Sequence, residues 1–111
     1  MKLNGLTGSI VALITPFHED GSVNFHKLGE LVEFHLSHGT DGILTLGTTG
    51  ESATMTHEED LAVCKFVIEQ VAGRVPVIAG SGSNCTQTML EKSLAYEEAG
   101  ADGLLLITPY Y

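Results

Sequence analysis

An apolar run leads into a polar turn in GILTLGTTGES, residues 42–52. The run 42–46 is apolar without alternation, which is typical of a strand buried on both faces. The turn 47–52 holds two glycines, two threonines, a carboxylate and a serine, a mixture that does not serve core packing. The stretch therefore predicts a buried strand whose carboxyl end carries a functional loop.

Three more apolar runs repeat this pattern at intervals of about 30 residues, the length of a βαβ unit. The four predicted strands are Ser9–Thr15, Gly42–Leu46, Val75–Ala79 and Gly103–Thr108. Amphipathic helical patterns fill the gaps. The three predicted helices are Phe25–Ser37, His57–Ala72 and Cys85–Ala99. The order β-α-β-α-β-α-β indicates a parallel sheet covered by helices.

Local signals support these helices. Asn24 and Asn84 are expected to cap the first and third helices, and Thr56 with Glu59 forms a capping box before the second. In the third helix, Leu90 and Leu94 are expected to face the core.

The sequence predicts one domain over residues 1–111, with no linker or low-complexity stretch. It stops directly after the fourth predicted strand, without a covering helix, which would leave open sheet edges. Eight such units close a (β/α)₈ barrel of about 250 residues. We therefore expect the amino-terminal half of a TIM barrel.

Composition narrows the function classes. Fourteen acidic against five basic residues give a net charge of −9, which argues against nucleic acid and anionic membrane surfaces as partners. Cys64 and Cys85 fit no metal or redox spacing and are expected to be reduced, which favours the cytoplasm. His35 and His38 are three apart but no third ligand follows, so neither a metal nor a cofactor is expected.

Polar residues gather after each predicted strand, where α/β proteins bind their ligands. The turn 47–52 offers backbone N–H groups and hydroxyls to an anion such as a carboxylate; a plain tight turn is the alternative. Gly80-Ser81-Gly82 lacks the third glycine of a dinucleotide fingerprint and is better interpreted as a βα turn. A strand-end tyrosine, as at Tyr110 or Tyr111, can relay a proton or simply pack at an interface.

Four motifs occur in a familiar order and spacing: GSIVALITPF (8–17), GTTGESAT (47–54), VIAGSGSN (77–84) and TPYY (108–111). Together they resemble the amino-terminal part of the dihydrodipicolinate synthases, pyruvate-dependent class I aldolases whose family includes N-acetylneuraminate lyase. The resemblance covers essentially the whole chain. It implies a (β/α)₈ barrel in which a lysine forms a Schiff base with pyruvate, and the resulting enamine attacks aspartate β-semialdehyde, the first committed step towards diaminopimelate and lysine.

The resemblance also implies roles for single residues. Thr48 matches a proton-relay threonine that links two tyrosines, and Thr49, in the turn that Gly47 opens, matches the residue that holds the pyruvate carboxylate. Tyr111 matches a relay tyrosine that reaches across a dimer interface, and Tyr110 matches a tyrosine of that interface. Family members are commonly tetramers built from tight dimers, so a homo-oligomer is expected.

A second group of matches falls in the pocket where lysine inhibits some members of the family. These residues are Ser52, Ala53, His57, Asn84 and Tyr110. Asp60 and Thr88 stand where lysine-sensitive members often carry a histidine and a glutamate. These two departures argue against feedback inhibition by lysine, whose occurrence the sequence leaves open.

The Schiff-base lysine of the family lies beyond Tyr111. Lys2 is terminal, and Lys27, Lys65 and Lys92 fall on predicted helices, where exposed amines stay protonated and poorly nucleophilic. These 111 residues alone are therefore expected to be inactive.

Two alternatives stay open. The first is that the parent is another pyruvate aldolase of the family, such as one like N-acetylneuraminate lyase, although Thr48 favours the synthases because the lyases tend to carry serine there. The second is a non-catalytic half-barrel that binds a carboxylate or assembles with its own copy.

Overall fold

A computed structural model describes residues 3–111 as one parallel sheet backed by helices. The strands are β1 (Ile10–Ala12), β2 (Gly42–Thr45), β3 (Val77–Gly80) and β4 (Gly103–Leu105). The helices are α1 (Phe25–Ser37), α2 (His57–Val71) and α3 (Thr86–Ala99), with a 3₁₀ turn over Ser52–Thr54. The predicted element order is confirmed, and the strands lie in sequential order β1-β2-β3-β4, all parallel.

The strands are shorter than the apolar runs that predict them. At the start of β3, Pro76 has no N–H to add to the ladder, although its carbonyl accepts a hydrogen bond from Ile43 N–H at 3.0 Å. After β1, Leu13 N–H still donates to the Leu44 carbonyl at 2.9 Å. The chain beyond it leaves the sheet towards the strand ends.

Two of the three predicted helix starts are confirmed. The Asn24 side chain accepts a hydrogen bond from Lys27 N–H at 3.0 Å, and Thr56 and Glu59 form the reciprocal capping box. The third prediction is wrong, because α3 begins after Cys85 without a side-chain cap. Asn84 is drawn away from the helix: its carboxamide oxygen accepts a hydrogen bond from Tyr110 N–H at 2.6 Å.

The core lies between the sheet and the helices, with α2 packed between α1 and α3. Its fully buried side chains include Leu28, Val32, Ile43, Val63 and Val67. None of the helices within residues 3–111 is long and apolar enough to cross a membrane.

The expectation that Leu90 and Leu94 face the core is wrong, since they are 48% and 66% exposed. Helix α3 instead turns Tyr96 and Ser93 inward, where Ser93 Oγ donates a hydrogen bond to the buried Ser81 Oγ at 2.8 Å. The hydrogen bond to the β3 turn and the buried tyrosine fix the rotation of α3, and the two leucines are left outside.

The last strand is poorly covered. Several large apolar side chains along and after it are exposed, namely Leu104, Leu105, Leu106 and Ile107. Within the described residues β4 pairs only with β3, so the edge of the sheet at β4 is open.

Candidate functional site

The turn after β2 lies at the carboxyl edge of the sheet. It is closed by two hydrogen bonds between residues three apart, from Gly50 N–H to the Gly47 carbonyl and from Glu51 N–H to the Thr48 carbonyl, both at 3.0 Å. Leu46 and Glu51, at its two ends, have φ of 60°, a left-handed conformation that is unusual for non-glycine residues. The backbone is therefore held in a specific and strained shape.

Thr48 and Thr49 form the tip of this turn, and both are exposed. Within residues 3–111, neither their amide N–H groups nor their hydroxyls donate a hydrogen bond to the protein. Four donors on two adjacent residues of a strained turn are thus left without a protein acceptor within residues 3–111. Such an arrangement suits a small carboxylate.

A cavity of about 670 Å³ opens beside the turn at the strand ends. It is lined by seven of the residues that the sequence indicates: Gly47, Thr48, Ser52, Ala53, His57, Asn84 and Tyr110. Thr49 and Tyr111 do not line it. Residues that the resemblance links to catalysis or substrate binding, Gly47 and Thr48, and residues that it links to an inhibitor therefore line the same cavity.

An ion pair crosses the cavity wall between α2 and α3. Lys92 Nζ lies 2.8 Å from Asp60 Oδ2, and the two side chains are 11% and 1% exposed. Ser52 Oγ donates a hydrogen bond to Asp60 Oδ1 at 3.2 Å. Burial raises the pKa of Asp60, and the contacts with Lys92 and Ser52 oppose that rise.

This pair corrects two sequence-based interpretations. Lys92 is not an exposed helix lysine, and Asp60 does more than favour the helix dipole in the first turn of α2. No sequence signal indicates the pair, because its partners lie on different helices 32 positions apart in the chain. A lysine and an aspartate at those distances resemble any two surface charges until the helices are packed.

Two other titratable groups lie buried near Asp60. Burial, with a smaller contribution from the Asp60 charge, raises the pKa of the Cys64 thiol to about 12 and raises that of Tyr96 as well. The Tyr96 hydroxyl has no hydrogen-bond partner within residues 3–111. Both cysteines are free, and Cys85, unlike Cys64, is exposed.

Tyr110 and Tyr111 differ from each other in how they are held. Tyr110 is fixed through its backbone by Asn84 and its side chain is half-exposed. The Tyr111 side chain is fully exposed. Residues 3–111 contain no cluster of three or more histidine, cysteine or acidic side chains that would suit a metal ion.

Comparison with known proteins identifies the family of this chain. Residues 5–111 match the model of the dihydrodipicolinate synthetase family. The chain belongs to this family. Among its members, a protein of Thermoanaerobacter sp. (strain X514) named 4-hydroxy-tetrahydrodipicolinate synthase is 60% identical over 104 residues. A protein of the same name from Lachnoclostridium phytofermentans is 55% identical over 105 residues.

Solved structures of dihydrodipicolinate synthase superpose closely on the chain. The Aquifex aeolicus enzyme gives a TM-score of 0.91 at 53% identity, over 94% of this chain and 35% of that one. The chloride-inhibited enzyme of Acinetobacter baumannii, determined in complex with pyruvate, gives 0.93 at 45% identity, over 96% and 36%.

The chain spans 35–36% of the length of these curated relatives while 94–95% of it is covered. The fold prediction is confirmed: the chain is the amino-terminal part of a TIM barrel of the dihydrodipicolinate synthase type.

Proposed function

We propose that the chain is the amino-terminal part of a 4-hydroxy-tetrahydrodipicolinate synthase, a lyase that condenses pyruvate with aspartate β-semialdehyde on the route to diaminopimelate and lysine. The carrying observation is the set of four unpaired donors on Thr48 and Thr49 at the strand ends. The names of the relatives support the reaction. The two free thiols support the predicted cytoplasmic location.

In this proposal the turn binds the carboxylate of pyruvate. Thr49 supplies its hydroxyl and N–H, and Gly47 lets the backbone approach the ligand closely. Because the donors are already oriented, little reorganisation accompanies binding, which is the source of electrostatic stabilisation in such sites. The complex of the Acinetobacter baumannii relative with pyruvate supports this choice of ligand.

Thr48 is proposed to relay protons, since its hydroxyl has no partner within residues 3–111 and lines the cavity. A hydroxyl in a relay must both accept and donate, and an unengaged threonine can rotate to do so. Tyr111 is proposed as its tyrosine partner across a dimer interface, with Tyr110 packed in that interface. The exposed side chain of Tyr110 supports an interface with a partner subunit.

None of the lysines in residues 3–111 is proposed to form the imine with pyruvate. Lys27 and Lys65 are exposed helix residues, and the Lys92 amine is engaged by Asp60 at 2.8 Å. An amine must be unprotonated to attack a carbonyl. The lysine that forms the Schiff base therefore comes from the part of the barrel that follows these residues.

The part of the cavity lined by Ser52, Ala53, His57, Asn84 and Tyr110 is proposed as the lysine effector pocket. We infer that inhibition by lysine is weak. The buried carboxylate there that would attract an added ammonium, Asp60, already has Lys92 as its counter-ion. A titration of activity with lysine tests this inference, and full inhibition at submillimolar lysine contradicts it.

The test of the reaction is borohydride trapping followed by intact mass measurement. In an enzyme of full family length carrying these residues, pyruvate and borohydride should add the mass of one reduced pyruvate adduct per chain. The polypeptide 1–111 should add none. An adduct on the short polypeptide contradicts the placement of the lysine, and no adduct on the long one contradicts the aldolase mechanism.

Substitutions at Thr48 and Thr49 should affect different kinetic parameters. Thr49→Val should raise the KM for pyruvate, whereas Thr48→Val should lower kcat with a smaller change in KM. Thr48, where the lyases tend to carry serine, supports the synthase over a sugar-acid lyase. Cleavage of N-acetylneuraminate in place of condensation with aspartate β-semialdehyde would favour the lyase instead.

A further inference from the structure

Thr15 lies at the carboxyl edge of the sheet just after β1, and its side chain does not face the cavity. We propose that Thr15 is a positioning residue for the turn 47–52: its hydroxyl fixes the Gly50 carbonyl, so that the donors of Thr48 and Thr49 point together at the carboxylate. This inference rests on the proposed function, because it assigns a task to a residue that supports the pyruvate-binding turn.

The contact is short and buried. Thr15 is 4% exposed, and its Oγ1 donates a hydrogen bond to the Gly50 carbonyl oxygen at 2.7 Å. The two residues lie 35 positions apart, so the bond joins the end of one strand to the loop of the next. A buried carbonyl that loses its donor retains its full desolvation penalty, and the backbone would move to find another partner.

Gly50 has little freedom to move without losing its packing. A Cβ atom at this residue would lie 3.1 Å from Leu46 N and 3.2 Å from the Leu13 carbonyl oxygen. The backbone of the turn is therefore pressed between its own start and the end of β1. Within that gap the Gly50 N–H donates to the Gly47 carbonyl and the Gly50 carbonyl accepts from the Thr15 hydroxyl, which ties the turn to the end of β1.

The remaining carbonyls of the turn show why one bond matters. Those of Gly47 and Thr48 accept from N–H groups within the turn, and that of Gly50 accepts from Thr15. The donors to these three carbonyls come from Gly50, Glu51 and Thr15, so none of the bonds uses an N–H group of Thr48 or Thr49. Strained conformations at Leu46 and Glu51 persist only where the surroundings hold them, and Thr15 supplies one such restraint.

The experiment compares Thr15→Val with Thr15→Ser in an enzyme of full family length carrying these residues. Valine keeps the shape and removes the hydroxyl, whereas serine keeps the hydroxyl. We expect Thr15→Val to raise the KM for pyruvate about tenfold, with kcat within about threefold and the KM for the aldehyde unchanged. Thr15→Ser should restore the KM for pyruvate to within about twofold of the unsubstituted enzyme.

Thr40→Val is the matched control. Thr40 Oγ1 donates to the Gly42 carbonyl at 2.8 Å, a threonine-to-glycine bond of the same kind that is local and less buried and lies at the opposite end of β2. It should alter thermal stability without altering the KM for pyruvate. Equal KM values for Thr15→Val and Thr40→Val, or a Thr15→Val variant that loses only stability, overturn the proposal.

Two further variants keep the outcome interpretable. If Thr15→Val does not fold, Thr15→Cys retains a weak donor and should give an intermediate KM for pyruvate; a KM equal to that of the unsubstituted enzyme overturns the proposal. If Thr49→Val also leaves that KM unchanged, the carboxylate site itself is wrong. If Thr49→Val raises it and Thr15→Val does not, only the role of Thr15 fails.

Discussion

Replacing Lys92 by methionine isolates the ion pair in the cavity wall. Methionine keeps the unbranched length of the side chain and removes its charge. The variant leaves the Asp60 carboxylate, 1% exposed, with Ser52 as its remaining polar partner. We expect a large loss of stability, because a buried charge without a counter-ion is unfavourable.

The exposed fractions of the two side chains decide how much stability the substitution should remove. An exposed ion pair contributes about 0–1 kcal/mol, whereas removing one partner of a buried pair costs about 3–5 kcal/mol. With side chains 11% and 1% exposed, Lys92 and Asp60 belong to the second class. The double variant Asp60→Leu with Lys92→Met should recover most of the loss, because apolar residues of similar volume can replace a buried pair.

The pH dependence gives the sign of the effect. In wild type, burial raises the pKa of Asp60 and Lys92 holds that rise back. Without Lys92 the pKa of Asp60 in the folded state rises further above its value in the unfolded state. At pH values between these two pKa values, the folded state therefore binds more protons than the unfolded state. Stability of the variant relative to wild type therefore increases as pH falls from 7 towards 5.

The assay is urea-induced unfolding followed by far-UV circular dichroism at pH 7 and pH 5. The control is Lys27→Met, because the pair of Lys27 with Glu30 is exposed on both sides and should contribute less than about 1 kcal/mol. If Lys92→Met destabilises no more than Lys27→Met at pH 7, or if its deficit grows on acidification, the reasoning about the buried carboxylate is refuted.

Three further outcomes are expected. Ellman's reagent should react rapidly with Cys85 at pH 7.5, because hydrogen bonds with Thr88 lower the pKa of this exposed thiol. Cys64 is buried, which raises its pKa to about 12, and should react only on unfolding. Two rapidly reacting thiols in the folded protein contradict this expectation. Tyr96→Phe removes a buried hydroxyl without a partner and should leave the free energy of unfolding equal or higher; a loss above about 1 kcal/mol indicates an unseen partner for the hydroxyl. Gly80→Ala would place a Cβ atom against the Leu46 carbonyl. It should lower the free energy of unfolding by about 1–3 kcal/mol and raise the KM for pyruvate. An unchanged melting temperature argues against the close approach of these two backbone segments.

The sequence predicts the element order because its signals are local. Continuous apolar runs, a capping box at Thr56 and a cap at Asn24 each act within a few residues, and the structure keeps them. The turn 47–52 is predicted for the same reason, since its glycines and threonines follow a strand directly. Its place beside the cavity follows from the parallel sheet alone.

What the sequence misses depends on contacts between distant elements. Nothing local distinguishes Lys92 from an ordinary surface lysine, or shows that Asn84 turns from capping a helix to binding the backbone of Tyr110. The rotation of α3 about its axis is another such case, because Leu90 and Leu94 have the spacing of a core stripe and still lie outside. The role of Thr15 emerges only when the end of β1 meets the turn after β2.

The sequential order of the sheet has a bearing on how the chain reaches this structure. Each strand pairs with the strand one βα unit before or after it, so the entropy of loop closure is similar at every step and remains modest. Folding rates fall as contacting residues lie further apart along the chain. The sheet can therefore grow from any adjacent strand pair outwards, and a substitution that weakens the pairing of β3 with β4 should accelerate unfolding from that edge while β1 and β2 stay paired.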